Sequence, residues 1–353
     1  MIPSPFVAIL ESYLSDRLLR IKQDAEYPTL REIRANVPQD SILSPMLLCR
    51  NTTRGSHFAI VIHGWRESCK EKWVQTLIEK LTTHRGGCIM CMDYGFIARI
   101  PHYFMLAKHV HKIAWMLTHQ LNQLEHKGFI PEQGFIFGFS LGGRIAIEAG
   151  RLFGSGRIGE IDTCDMAGPG FDLHGPPDSK EAALNVQCIH TSSDKGTKTR
   201  DCHQNWNMGN CGRTQVAAGN PPLGSHGLCP TFYNAAFDHP FYAEEFPKQC
   251  NITGKKVKRF WPKWFRMGYM ESRKLQVHGT FYSSTTENYP YTTNAAKKYQ
   301  GPLTRADRIE VDSHTNVYLI EKYLHIVLTR NAAVIFSGLD ITKNLFPISR
   351  GSN

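Results

Sequence analysis

Gly134-Phe135-Ile136-Phe137-Gly138-Phe139-Ser140-Leu141-Gly142-Gly143-Arg144-Ile145-Ala146-Ile147 is the stretch on which the reading of this chain turns. Its first half is a short apolar run of the kind that forms a fully buried strand, and after Ser140 the spacing of Ile145, Ile147 and Ala149 becomes helical. Gly138 and Gly142 stand two residues either side of Ser140, where side chains would collide in a tight turn. A serine held between a strand and a helix in this way is pushed out at the end of the sheet. The helix that starts there places its first amides near any negative charge that develops on a bound molecule.

Further units of the same kind surround it. Phe58-Ala59-Ile60-Val61-Ile62 reads as a buried strand ending in His63-Gly64-Trp65, and Cys88-Ile89-Met90-Cys91-Met92 as another ending in Asp93-Tyr94-Gly95. Tyr103, Leu106, Ala107, Val110, Ile113, Leu117, Leu121 and Leu124 step by three or four and predict one long helix. A short apolar segment surrounds Ile161, and Val186-Gln187-Cys188-Ile189-His190 predicts a further strand. Strands alternating with helices imply βαβ units and a mostly parallel central sheet. Thr191 to Pro222 is rich in Gly, Asn, Ser and Thr and reads as loop, while the tail from Tyr299 to Asn353 carries strand-like runs such as Ala332-Ala333-Val334-Ile335-Phe336. Three segments follow: an N-terminal extension (1–40), a catalytic domain (41–298) and a C-terminal extension (299–353).

With 353 residues and 41% hydrophobic content the chain can bury a sizeable core. It contains no apolar run long enough to span a membrane. Met1 to Leu19 carries Glu11, Asp16 and Arg17, which suits an amphipathic helix better than a signal peptide. Ten cysteines and the sequons at Asn51 and Asn251 nevertheless point to an extracellular protein. The net charge of +10 favours anionic partners. The basic residues do not form a nucleic-acid motif, but the run from Lys255 to Arg266 mixes cations with aromatic rings and reads either as a solvated loop or as a contact with a lipid–water interface.

Gly138-Phe139-Ser140-Leu141-Gly142 fits the G-x-S-x-G nucleophile elbow of an α/β hydrolase, which needs an acid and then a histidine later in the chain. Asp165, in Cys164-Asp165-Met166-Ala167-Gly168-Pro169, is the candidate acid, with Asp162 as its rival. His203, His226 and His239 all qualify as the base. The amides of Leu141 and Trp65 are the candidate oxyanion donors, Gly64 letting the backbone bend. Among the cysteines, Cys202 with Cys211 and Cys229 with Cys250 could close loops, while Cys88, Cys91 and Cys164, in or beside apolar strands, read as buried thiols. Neither Cys88-x-x-Cys91 nor the Cys202-His203…Cys211 cluster has the spacing of a zinc site.

Taken together these segments resemble the pancreatic-type lipase family. His63-Gly64-Trp65 is similar to its oxyanion segment, Asp93-Tyr94 to the end of its next strand, Gly138 to Gly143 to its elbow, Cys164 to Pro169 to its L-D-P-A-G-P and Cys188-Ile189-His190-Thr191 to its V-I-H-T. Met267-Gly268-Tyr269, Gly279-Thr280-Phe281-Tyr282 and Pro290-Tyr291 resemble the end of its catalytic domain. The resemblance selects His226, because Ser225-His226 followed by Phe232-Tyr233 matches the family's C-S-H and aromatic pair, with Gly224 in place of the cysteine. Phe139 and Arg144 stand where the family has histidines, and Met166 where it has a proline. The resemblance implies an α/β-hydrolase fold with helices on both faces, a Ser140–His226–Asp165 triad, no metal or cofactor, and lipid esters as substrates. Gly212 to Gly224 is a stub where the family's triglyceride lipases carry a lid, which leans the expectation towards phospholipase A1. The 54 or so residues after Tyr299 are too few for the family's C-terminal β-sandwich, as in its insect phospholipase A1-like and yolk-protein-like branches.

Overall fold

A computed structural model describes residues 43–44, 57–174, 178–245, 247–250, 262 and 264–293. The expected N-terminal helix, both sequons, the strand-like run in the tail, the outer limits of the three segments and most of the run from Lys255 to Arg266 lie outside these residues.

In chain order the elements are β1 (Leu43–Ser44), β2 (Phe58–Ile62), α1 (Lys72–His84), β3 (Cys88–Met92), α2 (Gly95–Ala98), α3 (Tyr103–Lys108), α4 (Val110–His126), β4 (Gly134–Phe139), α5 (Leu141–Phe153), β5 (Glu160–Cys164), β6 (Asn185–His190), β7 (Gln204–Met208), α6 (Leu228–Ala235) and β8 (Gly279–Ser283). The strands form one sheet in the order β1-β3-β2-β4-β5-β6-β7-β8. Only the β1–β3 pair is antiparallel. β2, β3 and β4 are buried along their whole length, as apolar strands covered on both faces must be. Along β4 the side chains alternate. Ile136 faces the cluster built on α4 and α5, whereas Phe137 meets Trp73 of α1 and Tyr233 of α6. Helices therefore cover both faces of a mostly parallel sheet, the α/β-hydrolase arrangement.

The chain leaves β2 for β3 on one side and returns to β4 on the other, so the strand order reverses at β2. Ile62, the last residue of β2, pairs with Gly138, one residue before the end of β4. In open α/β sheets the crevice beyond the carboxyl ends of the strands at such a reversal is where ligands bind, and here it lies between His63-Gly64-Trp65 and Ser140.

Several details differ from the sequence reading. The helix expected across Tyr103 to Leu124 is two helices, because the backbone at His109 (φ −101°, ψ 2°) leaves the helical region. The stretch read as loop from Thr191 to Pro222 contains β7, whose Gln-Asn-Trp-Asn-Met sequence hides its burial. The Gln204 amide there donates to the carbonyls of Lys274 and Val277, the Asn205 amide donates to that of Cys202, and Trp206 packs on Phe265 and Phe281. Gln204 and Asn205 are buried because each has a backbone partner, and the Asn207 side chain accepts from Arg200. Phe265, within the expected cationic–aromatic run, is accordingly a core residue.

The cysteines also pair otherwise. The disulfides are Cys69–Cys91, Cys164–Cys229, Cys188–Cys202 and Cys211–Cys250, and Cys88 is disulfide-bonded too. Cys91, Cys164 and Cys88 are thus not thiols, and neither the Cys202–Cys211 nor the Cys229–Cys250 pair forms. Proximity in sequence misled because three of these disulfides tie a strand cysteine to a loop or helix that the fold brings over it. Among the described residues no helix is long and apolar enough to cross a membrane.

His190, at the end of β6, is 1% exposed, and burial, assisted by the charge of Arg200, pushes its imidazole well below the ordinary value. The unfolded chain binds a proton there that the folded chain does not, so this contribution is intact above the usual imidazole range. It declines by about 1.4 kcal/mol for each pH unit below that range. We expect His190→Gln to flatten the fall of denaturant-unfolding free energy between pH 6.5 and 4.5; a curve parallel to that of the unsubstituted protein would contradict it.

Candidate active site

Ser140 occupies the turn between β4 and α5 with φ 55° and ψ −118°, a left-handed conformation that costs a non-glycine residue of order 1–3 kcal/mol. Packing holds it there. A Cβ on Gly138 would lie 2.4 Å from the Gly142 carbonyl oxygen, and one on Gly142 would lie 2.4 Å from that of Ile62 and 2.6 Å from that of His63. The Ser140 amide donates to the Cys164 carbonyl, and the Ser140 carbonyl accepts from the amides of Gly143 and Ala167.

Asp165 follows β5 directly, also at positive φ (41°), and is fully buried. One carboxylate oxygen accepts from the amides of Thr191 (2.7 Å) and Ser192 (3.0 Å). The other accepts from the Ser192 hydroxyl (2.5 Å) and from Nδ1–H of His226 (2.7 Å). Gly196 lies so close that a Cβ there would stand 2.4 Å from the carboxylate. A carboxylate with this many donors is held in one orientation. Nε2 of His226 lies 2.8 Å from Oγ of Ser140, and with Nδ1 donating to the acid it is the nitrogen that can accept the serine proton. The structure brings together Ser140, Asp165 and His226. It separates the alternatives: Nδ1 of His203 accepts from the Val186 amide and its ring is beside His278, His239 packs on Tyr289, and Asp162 accepts from Tyr233 (2.5 Å) and Lys274 (3.2 Å).

The Cys164–Cys229 disulfide ties the residue before the acid to the helix that begins just after His226. Ser225 adds a second anchor, its hydroxyl accepting from the Gln215 amide at 2.9 Å. Phe139, in place of the histidine expected of the elbow, lies 4.9 Å from the His226 ring. Arg144 donates to the Ala167 carbonyl and to Asp172 and so braces the segment that follows the acid.

Among the described residues neither the Trp65 amide nor the Leu141 amide has a hydrogen-bond acceptor. The loop carrying Trp65 is fixed from several sides. Tyr94 donates its hydroxyl to the His63 carbonyl (2.7 Å), the Trp65 indole donates to Ile100 (2.8 Å) and the Arg66 amide donates to Ala98 (2.9 Å). Glu67, which sequence reasoning passed over, accepts from the Gly64 amide (2.7 Å) and the Trp73 indole (3.1 Å). Burial raises its carboxyl above the usual range. Its one sequence signal was its place three residues after the glycine that bends the loop. His63, Cys69 and Asp93 also converge, but the Cys69 sulfur is spent in its disulfide.

A doubly wound sheet with a serine at a strained strand–helix turn, backed by a histidine and a buried carboxylate, defines the chain as an α/β hydrolase. Residues 48–210 match the family model described as Lipase, and the chain is similar to members of the pancreatic-type lipase family. Relatives include lipase member H of Danio rerio, 30% identical over 137 residues, covering 38% of this chain and 30% of that protein. Pancreatic triacylglycerol lipase of Myocastor coypus is 28% identical, covering 40% and 32%. The chain therefore spans about a third of the length of the curated relatives it matches. Similar solved structures include Est1E from Butyrivibrio proteoclasticus (15% identity, TM-score 0.26, covering 40% of this chain and 70% of that one). Another is an acetyl ester-xyloside bifunctional hydrolase from Caldicellulosiruptor lactoaceticus (17%, TM-score 0.26, covering 43% and 66%).

The Cys164–Cys229 bridge spans 65 residues and Cys188–Cys202 spans 14. Cross-linking a longer loop removes more entropy from the unfolded chain, so replacing both Cys164 and Cys229 by alanine should cost about 3–4 kcal/mol, roughly 1 kcal/mol more than the same change at Cys188 and Cys202. Paired denaturant titrations decide it, and the reverse ranking would show that local strain outweighs loop length.

Proposed function

We propose that this chain is a secreted serine carboxylic ester hydrolase acting on lipids, with phospholipase A1 as its preferred activity and residues 41–298 as its catalytic domain. The observation that carries the reading is the unbroken hydrogen-bonded line from Asp165 through His226 to Ser140. His226 Nε2 takes the Ser140 proton as Oγ attacks the ester carbonyl, and Asp165 steadies the imidazolium that results. The carbonyl oxygen gains negative charge opposite the amides of Trp65 and Leu141, each worth on the order of 3 kcal/mol in the transition state. His226 then returns the proton to the departing alcohol oxygen as the carbon–oxygen bond breaks. Water, deprotonated by the same imidazole, releases the fatty acid from the acyl-serine. The chemistry draws on side chains, backbone amides and water.

Lipid is supported by the apolar surface beside the crevice. Trp65 packs edge-on to Tyr103, Tyr103 on Phe104, and Phe104 beside Gly170. Phe104 is 63% exposed and Leu173 88%, which suits contact with a lipid phase. The short segment from Gly212 to Gly224 and the net charge of +10 support phospholipid over triglyceride. Four disulfides among the described residues support an oxidising, extracellular setting.

The test is hydrolysis of dual-labelled phosphatidylglycerol vesicles beside a triolein emulsion. We expect release of the sn-1 chain alone, lowered roughly 10⁴-fold or more by Ser140→Ala and about 10⁴-fold by Asp165→Asn. Undiminished hydrolysis by Ser140→Ala would refute the mechanism. Failure of the folded protein to cut either lipid would leave a lipid-binding protein on a lipase fold.

A further inference from the structure

A cavity of about 640 Å³ opens beside β7, lined in part by Ser192, and nothing in the proposed reaction uses it. Lys198, Arg200 and Arg213 line it, together with Ser192, Asn207 and Tyr282. Among the described residues no carboxylate does. We propose that this cavity is a binding site for a phosphate monoester, held by Arg200, Arg213 and Lys198.

Arg200 is the centre of the site. Its side chain is partly buried, yet its hydrogen bonds go to uncharged oxygens: Nε to the Asn207 amide oxygen (2.8 Å) and Nη1 to the carbonyls of Thr197 (3.0 Å) and Thr199 (2.9 Å). A guanidinium withdrawn from water without a counter-ion in contact is costly, and an anion relieves that cost. Burial pushes the Arg200 cation down to about 10, and although Asp165, Tyr282 and Asp172 draw it back up, Arg213 adds like charge. The nearest acids are committed elsewhere. Asp165 serves Thr191, Ser192 and His226, and Asp172 serves Arg144, Thr197 and the Lys198 amide. Lys198 and Arg213 are exposed and make no ion pair among the described residues.

Three cations facing one cavity favour a doubly charged anion over a carboxylate, and the volume exceeds what a bare phosphate fills. A phosphate carrying a small organic group fits both facts. Its source is either a soluble phosphate ester or the headgroup of an acidic lipid. Ser192 lines the cavity and donates its hydroxyl to Asp165, so the occupant sits one side chain behind the acid.

The test is calorimetric titration of the full chain with glycerol 3-phosphate and with inorganic phosphate at fixed ionic strength, using glycerol as the uncharged control. The same titrations in Ser140→Ala make the result independent of hydrolysis. We expect binding of both phosphates in the roughly millimolar range or tighter and none of glycerol. The double variant Lys198→Gln/Arg213→Gln, altered only at exposed positions, should bind about tenfold more weakly. Arg200→Gln should bind more weakly still, with its fold checked by circular dichroism. Displacement of bound glycerol 3-phosphate by phosphatidic acid vesicles identifies a lipid headgroup as the source, and its absence a soluble ester. Equal affinity in the double variant, or no binding of either phosphate to the unsubstituted protein, would overturn the proposal.

Discussion

The approach of α5 to the carboxyl ends of β2 and β4 governs the rest of the molecule's functional end. The helix comes near enough that a single methyl group on Gly142 would press into the backbone oxygens of Ile62 and His63. That closeness forces Ser140 into its left-handed turn and sets it beside the loop that carries Trp65. It also lets the Ser140 amide reach the Cys164 carbonyl, so the elbow and the end of β5 are joined by backbone before any side chain acts. Asp165 is the next residue along. The spacing of Ser140 and Asp165 is thus a property of the sheet, fixed by parallel pairing of β4 with β5.

His226 needs a different kind of support, because it lies on a loop that no strand pairing fixes. Its position comes from Asp165, from the disulfide one residue before that acid, and from Ser225 at its own N-terminal side. The strained serine and the positive-φ aspartate persist because these contacts over-determine them. The side chains proposed to do the chemistry are therefore positioned by groups that would do none.

Much of this was legible in the sequence, and the parts that were not share a physical cause. The apolar strands β2, β3, β4 and β6 and the elbow announce themselves because burial on both faces demands continuous hydrophobicity. The Gln-Asn-Trp-Asn-Met strand does not, because its polar side chains are buried with hydrogen-bond partners that no period reveals. Ser140 and Asp165 could be read from local motifs at strand ends. Three histidines remained open on chain order alone, and only the family resemblance chose His226, the one the structure brings to Ser140. The cysteines were misread because a disulfide records which segments the fold brings together, and that information is tertiary. Glu67 carried almost no signal, since a half-buried glutamate three residues past a glycine looks like any surface acid until the loop is folded.

The short segment from Gly212 to Gly224 has one more implication. Gln215 pins it: its side-chain amide donates to the Thr191 and Met208 carbonyls, its backbone amide donates to Ser225 and its side-chain oxygen accepts from Thr285. A segment held by four hydrogen bonds at Gln215 is a wall and not a door. On the proposed reading, an ester dispersed in dilute solution and the same ester in a droplet meet one unchanging entrance. Turnover then rises along a smooth saturation curve, with neither lag nor break where the substrate ceases to be soluble.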